Sequence, residues 1–294
     1  MKRDLKLGVF TEGWPGLELG NLHRLEEPIQ VIDCHAPLEL DQVDAALVRL
    51  NRVLQEKDLL LDAVVFGLPG ESYDSPAIAL ETVGFAAPGS ERRAERFRYA
   101  RTLFDLVSKR IPRERFVRRR LTVKGHFGGF HNLPDHELRH LGAGLGMLAR
   151  QALEPHDGLM LAETGCEPAS AVIEFINQFG FGRLACNWDT ANLALWGAGV
   201  DNLEYARSLA DAGLLRGVHL KGGRAPTVAG AWGTEIDPGR ALIQQVIELL
   251  MNCPEVDALI VERELFLGDQ RETQEEKAAG LSRTLSLVRD VLAA

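Results

Sequence analysis

Arg183-Leu184-Ala185-Cys186-Asn187-Trp188-Asp189-Thr190-Ala191-Asn192 is a mostly apolar run that ends in a carboxylate and passes into a Gly-containing loop and a helical pattern. The run reads as a buried strand. A carboxylate where such a strand meets water is held rigidly by the sheet and left reachable by the loop. Three other runs repeat the design. Gly158-Leu159-Met160-Leu161-Ala162-Glu163 ends in Glu163, Gly217-Val218-His219-Leu220-Lys221 carries His219, and Val256-Asp257-Ala258-Leu259-Ile260-Val261-Glu262 ends in Glu262. A Glu, an Asp, a His and a Glu on four successive strand ends make a candidate site for one divalent cation.

Working outward, the same alternation covers the chain. Strands are expected at residues 5–10, 29–34, 59–67 and 116–125 before the four just named. Between them lie helical stripes. Val43, Leu47, Leu50 and Leu54 recur at helical spacing after Asp41, which reads as a cap. Phe97, Ala100, Phe104, Val107 and Ile111 share a second stripe, and Leu138, Leu141, Leu145 and Leu148 a third. Residues 169–179, 202–215 and 241–251 read as further helices, and Leu281, Leu285, Val288 and Leu292 stripe the last. The first unit is the weakest, with only a marginal helix at 17–27. Residues 71–90, rich in Gly, Pro, Ser and Ala, read as a lid, a binding loop or a disordered connection.

Strand–helix alternation gives parallel strands, because each crossover needs a helix. Eight units predict a single (β/α)8 TIM barrel domain over residues 1–294. An open doubly wound sheet is the alternative; the first strand lacks the Gly-rich phosphate fingerprint such a sheet often carries. Side chains alternate along strands, so Leu161 and Glu163, Asn187 and Asp189, His219 and Lys221, Ile260 and Glu262, and Lys124 and His126 each share a face. If those faces point inward, polar groups gather at the C-terminal mouth over an apolar plug.

The bulk numbers narrow the function. The net charge of −9 speaks against nucleic acid or an anionic membrane as partner. Apolar runs fall short of the roughly 18 residues a membrane span needs, and Met1-Lys2-Arg3-Asp4-Leu5 has no hydrophobic signal core. Cys34, Cys166, Cys186 and Cys253 have no metal-knuckle spacing and read as reduced thiols of a cytoplasmic protein.

These motifs resemble the xylose isomerase-like barrel superfamily, in particular the sugar phosphate isomerase/epimerase group related to endonuclease IV-type barrels. The resemblance rests on Leu161-Ala162-Glu163-Thr164-Gly165, Asn187-Trp188-Asp189-Thr190-Ala191-Asn192, Val218-His219-Leu220-Lys221, Ile260-Val261-Glu262-Arg263-Glu264 and Trp232-Gly233-Thr234-Glu235-Ile236-Asp237. It covers roughly residues 120 to 265. It implies that Glu163, Asp189, His219 and Glu262 bind one divalent metal, with Glu163 and Glu262 moving a proton on a ketose or keto-polyol through an enediolate. Three carboxylates and an imidazole suit Mn²⁺, Mg²⁺ or Co²⁺, and tolerate Zn²⁺. It also places Glu167 and Arg224 near substrate. Asn192 stands where epimerases often carry His, and Asn still bonds a sugar oxygen. A metal-dependent lyase or dehydratase acting on a keto-sugar, inositol derivative or glycoside would use the same quartet. An abasic-site endonuclease, needing several extra histidines, and a non-catalytic barrel are further alternatives.

Each residue also has a plainer reading. Asp189 could simply cap the turn after it, and Glu163 could pair with Arg224. Trp14, Trp188, Trp196 and Trp232 follow strand ends and could stack on a sugar or close the barrel mouth. Lys124, His126 and Lys221 could bind substrate, or pair with nearby carboxylates. Arg113, Arg115, Arg118, Arg119 and Arg120 precede the fourth strand and read as a salt-bridged surface or homo-oligomer contact at the opposite barrel end. Cys166, near Glu163, reads as a bystander, and Gly222-Gly223 as a sharp turn.

Overall fold

The computed structural model describes residues 5–13, 16–74, 76–87, 89–131, 133–165, 167–192, 201–221, 237–263 and 272–294. Eight strands close into a ring in sequence order: β1 (Lys6–Thr11), β2 (Val31–His35), β3 (Leu60–Val65), β4 (Thr122–Gly125), β5 (Leu159–Glu163), β6 (Leu184–Asp189), β7 (Leu215–Leu220) and β8 (Ala258–Val261). Every neighbouring pair is parallel, including β8 with β1. Around the ring run α1 (Leu40–Glu56), α2 (Pro76–Thr82), α3 (Ser90–Arg110), α4 (Asp135–Leu148), α5 (Ala169–Phe179), α6 (Asn202–Asp211), α7 (Arg240–Met251) and α8 (Gln274–Ala293). The (β/α)8 TIM barrel expected from the alternation is the fold. The first crossover is only a short 3-10 turn, Leu19–Arg24. Among the described residues no helix is long and apolar enough to cross a membrane.

The core lies mainly between strands and helices. The stripe Val43, Leu47, Leu50 and Leu54 on α1 packs in one large cluster with outward strand residues such as Ile32, Val64, Val123 and Leu259. Each such side chain, fully buried, is worth about 1.5–3 kcal/mol. The ring's interior is different. It holds two small apolar groups, Phe10, Val31, Val65, Ala258 and Ile260, and Leu159, Leu161 and Ala185. Beside them Asp33, Asp62, Lys124, Asn187, Asp189 and His219 are all 0% exposed. The apolar plug expected beneath the site is therefore partly ionic.

Several local expectations change. Asp41 sits in the first turn of α1; Glu39 is the N-cap, and no side chain caps it. β4 starts at Thr122 rather than at 116, since Arg119 turns the backbone left-handed at φ 50° and leaves Phe116 with only an isolated bridge to Leu61. Register shifts make Asp62 an extra residue on β3 and Arg216 an extra residue on β7, a device that re-aims side chains.

The described residues of 71–90 fold. Helix α2 lies within them, and Phe85, Ala86 and Ala87 are buried. Arg96 on α3 holds the segment. Its buried guanidinium donates to the carbonyls of Pro69 at 3.0 Å, Thr82 at 2.6 Å, and Gly84. Arg96→Met would orphan those carbonyls at about 1–3 kcal/mol each. We expect limited proteolysis to nick this variant within residues 69–87 while the far-UV circular dichroism of the barrel is retained; wild-type resistance would show the segment holds without Arg96.

Candidate metal centre

The four strand-end residues converge. Glu163 ends β5, Asp189 ends β6, His219 lies on β7 and Glu262 follows β8; one ligand atom from each lies within 4.8 Å of the others. His219 Nδ1 is 2.8 Å from a Glu262 oxygen and 3.4 Å from a Glu163 oxygen. Lys221 Nζ bridges Asp189 at 2.9 Å and Glu262 at 2.8 Å.

Asp189 fulfils both readings made of it. Its Oδ1 accepts the Ala191 and Asn192 amides at 2.8 and 2.9 Å, capping the following turn. Its Oδ2 faces the cluster. Asn192 Nδ2 donates to Glu163 Oε1 at 2.8 Å, which orients that carboxylate. Arg224 and Glu264 lie outside the described residues, as do Trp14, Trp196, Trp232, Cys166 and Gly222-Gly223.

Beneath the quartet runs a buried ionic chain that spans the ring. His219 Nε2 is 2.7 Å from Asp33 Oδ2, which also takes the Lys124 ammonium at 2.6 Å. Lys124 reaches Asp62 at 2.7 Å, and Asp62 takes Arg118. Arg118 is thus not a surface residue, since its side chain is 6% exposed. Lys124, fully buried, does not line the cavity; its charge goes to two carboxylates. Trp188 is buried on the helix side, its indole N–H donating to Asn202 at 2.7 Å, so it forms no part of a rim.

Without added protons the side chains do not balance this interior. Asp33, Asp62, Glu163, Asp189 and Glu262 face three cations, Arg118, Lys124 and Lys221, linked through the contacts above. With a neutral imidazole, two negative charges are left over. Asp189 Oδ2, His219 Nδ1 and Glu262 Oε2 are all buried, Oδ2 held by the Lys221 ammonium at 2.9 Å and Nδ1 by Glu262 Oε2 at 2.8 Å. Carboxylate and imidazole atoms converging on one buried point fit a divalent cation.

The electrostatics show the same strain. Burial lifts the Glu163 carboxyl to about 7, opposed by His219 and Lys221 and reinforced by Glu262 and Asp189. Burial also acts to raise Glu262, but Lys221 and His219 outweigh it and hold that carboxyl well below the usual range. For His219, burial and Lys124 favour the neutral ring; the Glu163 and Glu262 carboxylates and the Asp33 hydrogen bond win, lifting it to about 10.

Beside the quartet opens a cavity of about 380 Å³, within the range of roughly 300–1,000 Å³ usual for small-molecule sites. Glu163, Glu262, Lys221, Asn192, Glu167 and His126 line its polar side. Glu167 Oε1 accepts the Phe130 amide at 2.8 Å. His126 is kept neutral by burial, against the pull of Glu71. Phe10, Leu38, Phe66, Tyr73, Leu80 and Val83 line the apolar side. Sequence reading missed Glu71, which faces the cavity and accepts the Gly84 amide at 2.8 Å. It also missed Asp33 and Asp62. The available signal was a lone carboxylate inside an apolar strand, Val31-Ile32-Asp33-Cys34 and Leu60-Leu61-Asp62-Ala63.

No protein-family model and no curated protein matches the chain. Solved structures do. A xylose isomerase domain protein from Planctomyces limnophilus is 22% identical, with a TM-score of 0.78 over 98% of this chain and 97% of that one. A D-psicose 3-epimerase, solved in the presence of D-fructose, is 14% identical, with a TM-score of 0.66 over 99% and 100%. A 3-keto-D-glucoside 4-epimerase from E. coli is 10% identical, with a TM-score of 0.62 over 95% and 99%. The protein therefore has the fold of the xylose isomerase-like barrels and the sugar epimerases, as its strand-end motifs led one to expect.

Proposed function

We propose that the protein is a divalent-metal-dependent sugar isomerase or epimerase acting on a ketose or keto-polyol. The observation that carries this is the buried quartet itself, whose ligand atoms converge in an interior that lacks two positive charges once its carboxylates are ionised and its imidazole neutral. The epimerase names among its structural neighbours support the same class. Glu163, Asp189, His219 and Glu262 would hold Mn²⁺, Mg²⁺ or Co²⁺, with Zn²⁺ tolerated. A bound ion would supply Lewis acidity to adjacent carbonyl and hydroxyl oxygens of the substrate, making the C–H on the hydroxyl-bearing carbon more acidic.

The chain's own residues do the rest. Glu163 and Glu262 approach from β5 and β8, so one carboxylate can remove the carbon-bound proton and the other return it. Asn192 fixes the Glu163 carboxylate. Phe10 stands edge-on to His219 at 5.7 Å and keeps water from that side of the ring. Lys221, Glu167 and His126 would bind substrate oxygens; their lining of the cavity's polar side supports that role.

Purified protein should carry about one ion per chain by elemental analysis, and a screen of ketoses and keto-inositols should show deuterium uptake from heavy water. Glu262→Gln should lower that uptake by about 10²–10⁴-fold with the fold retained; undiminished exchange removes Glu262 from proton transfer. Ion uptake must also expel protons. His219 at about 10 holds its proton at pH 7, and Glu163 at about 7 holds half of one. Calorimetry in buffers of different ionisation enthalpy should therefore show about one and a half protons released at pH 7, with affinity falling as pH drops from 8 to 6. An affinity independent of pH would mean that these side chains are not the ligands.

The apolar side of the cavity favours a second reading. Leu38, Tyr73 and Leu80 line it while 50%, 39% and 48% exposed. Apolar side chains left in water beside a sugar site suit a substrate with an apolar substituent. The same quartet would then act as a lyase on a keto-glycoside, eliminating the aglycone. Product analysis separates the two, since a lyase releases the aglycone and an epimerase returns it attached.

A further inference from the structure

Asp33 lies on β2 with 0% exposure, out of reach of any molecule in the cavity, yet it holds the inner edge of His219. The two residues are 186 positions apart in the chain. We propose that Asp33 is a positioning residue that fixes the tautomer of His219, keeping the proton on Nε2 so that the Nδ1 lone pair faces Glu163, Asp189 and Glu262. The proposal rests on the quartet being a metal site.

The argument is one of donors and acceptors. An ionised carboxylate only accepts hydrogen bonds, whereas a neutral imidazole has one donor nitrogen and one acceptor nitrogen. Nε2 lies 2.7 Å from Asp33 Oδ2, so Nε2 must carry the hydrogen. Lys124 Nζ is also 3.2 Å from Nε2, and an ammonium there would demand the opposite tautomer. It is longer than the 2.6 and 2.7 Å contacts that Lys124 makes with Asp33 and Asp62. An Nε2 lone pair set against the Asp33 oxygen at 2.7 Å would be repelled. The carboxylate therefore decides for Nε2. In the ion-free protein Nδ1 also carries a hydrogen, toward the Glu262 oxygen at 2.8 Å; that is the hydrogen an ion would displace, and Asp33 keeps the other in place so that Nδ1 is the atom freed as acceptor.

Asp33 is itself held. Its Oδ1 accepts the Ala63 amide at 2.8 Å, and Ala63 directly follows the extra residue Asp62 on β3. That amide makes the two carboxylate oxygens inequivalent. In Asp33→Asn the carbonyl oxygen stays on the Ala63 N–H, and the new NH₂ takes the place of Oδ2. Nε2 then faces a donor, and the proton is driven to Nδ1, the atom turned to the quartet. Asp33→Ala removes the acceptor without imposing a donor, and leaves the ring free to take either tautomer.

The test compares Asp33→Asn with Asp33→Ala, each combined with Lys124→Met. Each double variant removes one buried anion and one buried cation, so the net charge of the interior is unchanged and the fold is protected. Co²⁺ affinity is measured by calorimetry, and thermal unfolding of the ion-free proteins is measured alongside. Removing a partner behind a metal ligand costs typically about 10–100-fold in affinity. We expect the Asn variant to bind Co²⁺ at least about tenfold more weakly than the Ala variant, although Asn fills the space and unfolds at the higher temperature. A purely structural role would rank affinity as it ranks stability, with Ala the weaker. Equal or tighter Co²⁺ binding by the Asn variant overturns the proposal. Wild-type protein that takes up no Co²⁺ at a stoichiometry of one would instead bring down the metal reading, and this inference with it.

Discussion

Three carboxylates can share a buried space a few ångströms across only when positive charge shares it with them. In the interior of this barrel that requirement governs the arrangement. Glu163, Asp189 and Glu262 meet His219 within 4.8 Å, and Lys221 bridges two of them. Burial lifts Glu163 to about 7, and the carboxylates around His219 draw a proton onto it. With that proton, five ionised carboxylates would still leave the linked interior one positive charge short. A folded chain pays for such an arrangement only where it has a use, because well-packed apolar residues in the same space are often as stable or more so.

The ionic chain below the quartet supplies rigidity where an apolar plug would supply only volume. Each member is gripped from two sides: Lys124 by Asp33 and Asp62, Asp62 by Lys124 and Arg118, and Asp33 by Lys124 and the Ala63 amide. Arg118 enters from the segment before β4, so the floor of the barrel is tied through four side chains to the imidazole at its mouth. Charge-assisted bonds in a medium of low polarity are directional as well as strong. An imidazole set on such a column has few rotamers open to it, which is what a site that must hold its geometry requires.

The ring and the quartet were legible in the sequence because each of the four residues ends or follows an apolar strand, and strand parity sorts them onto one face. His219 and Lys221 alternate past Leu220, and Asn187 and Asp189 past Trp188, so the inward set follows from the period of two. The rim reading of Trp188 set that logic aside. Standing between Asn187 and Asp189, it must point outward, and it is buried beneath the helices. What stayed hidden depends on partners distant in the chain. Asp33 reads as an oddity in an apolar run until Lys124, 91 residues later, and His219 are brought beside it. Residues 71–90 look loose by composition; they are ordered by Arg96, whose three carbonyl contacts no local pattern reveals.

The cavity joins two halves of different origin. Its polar side comes from strand ends on β5 to β8, whose placement is fixed by the barrel. Its apolar side comes largely from the β2 loop and the inserted segment around α2, where Leu38, Tyr73, Leu80 and Val83 gather. The first half carries the charge and the convergent ligand atoms. The second offers apolar surface and few polar contacts. Arg96 links the two by anchoring the inserted segment to α3, so the chemistry can stay constant while the shape beside it varies. Loops carry the adaptable surface of a barrel and strand ends the rigid one, so the Arg96 guanidinium shapes one wall of the cavity and the ionic column supports the other.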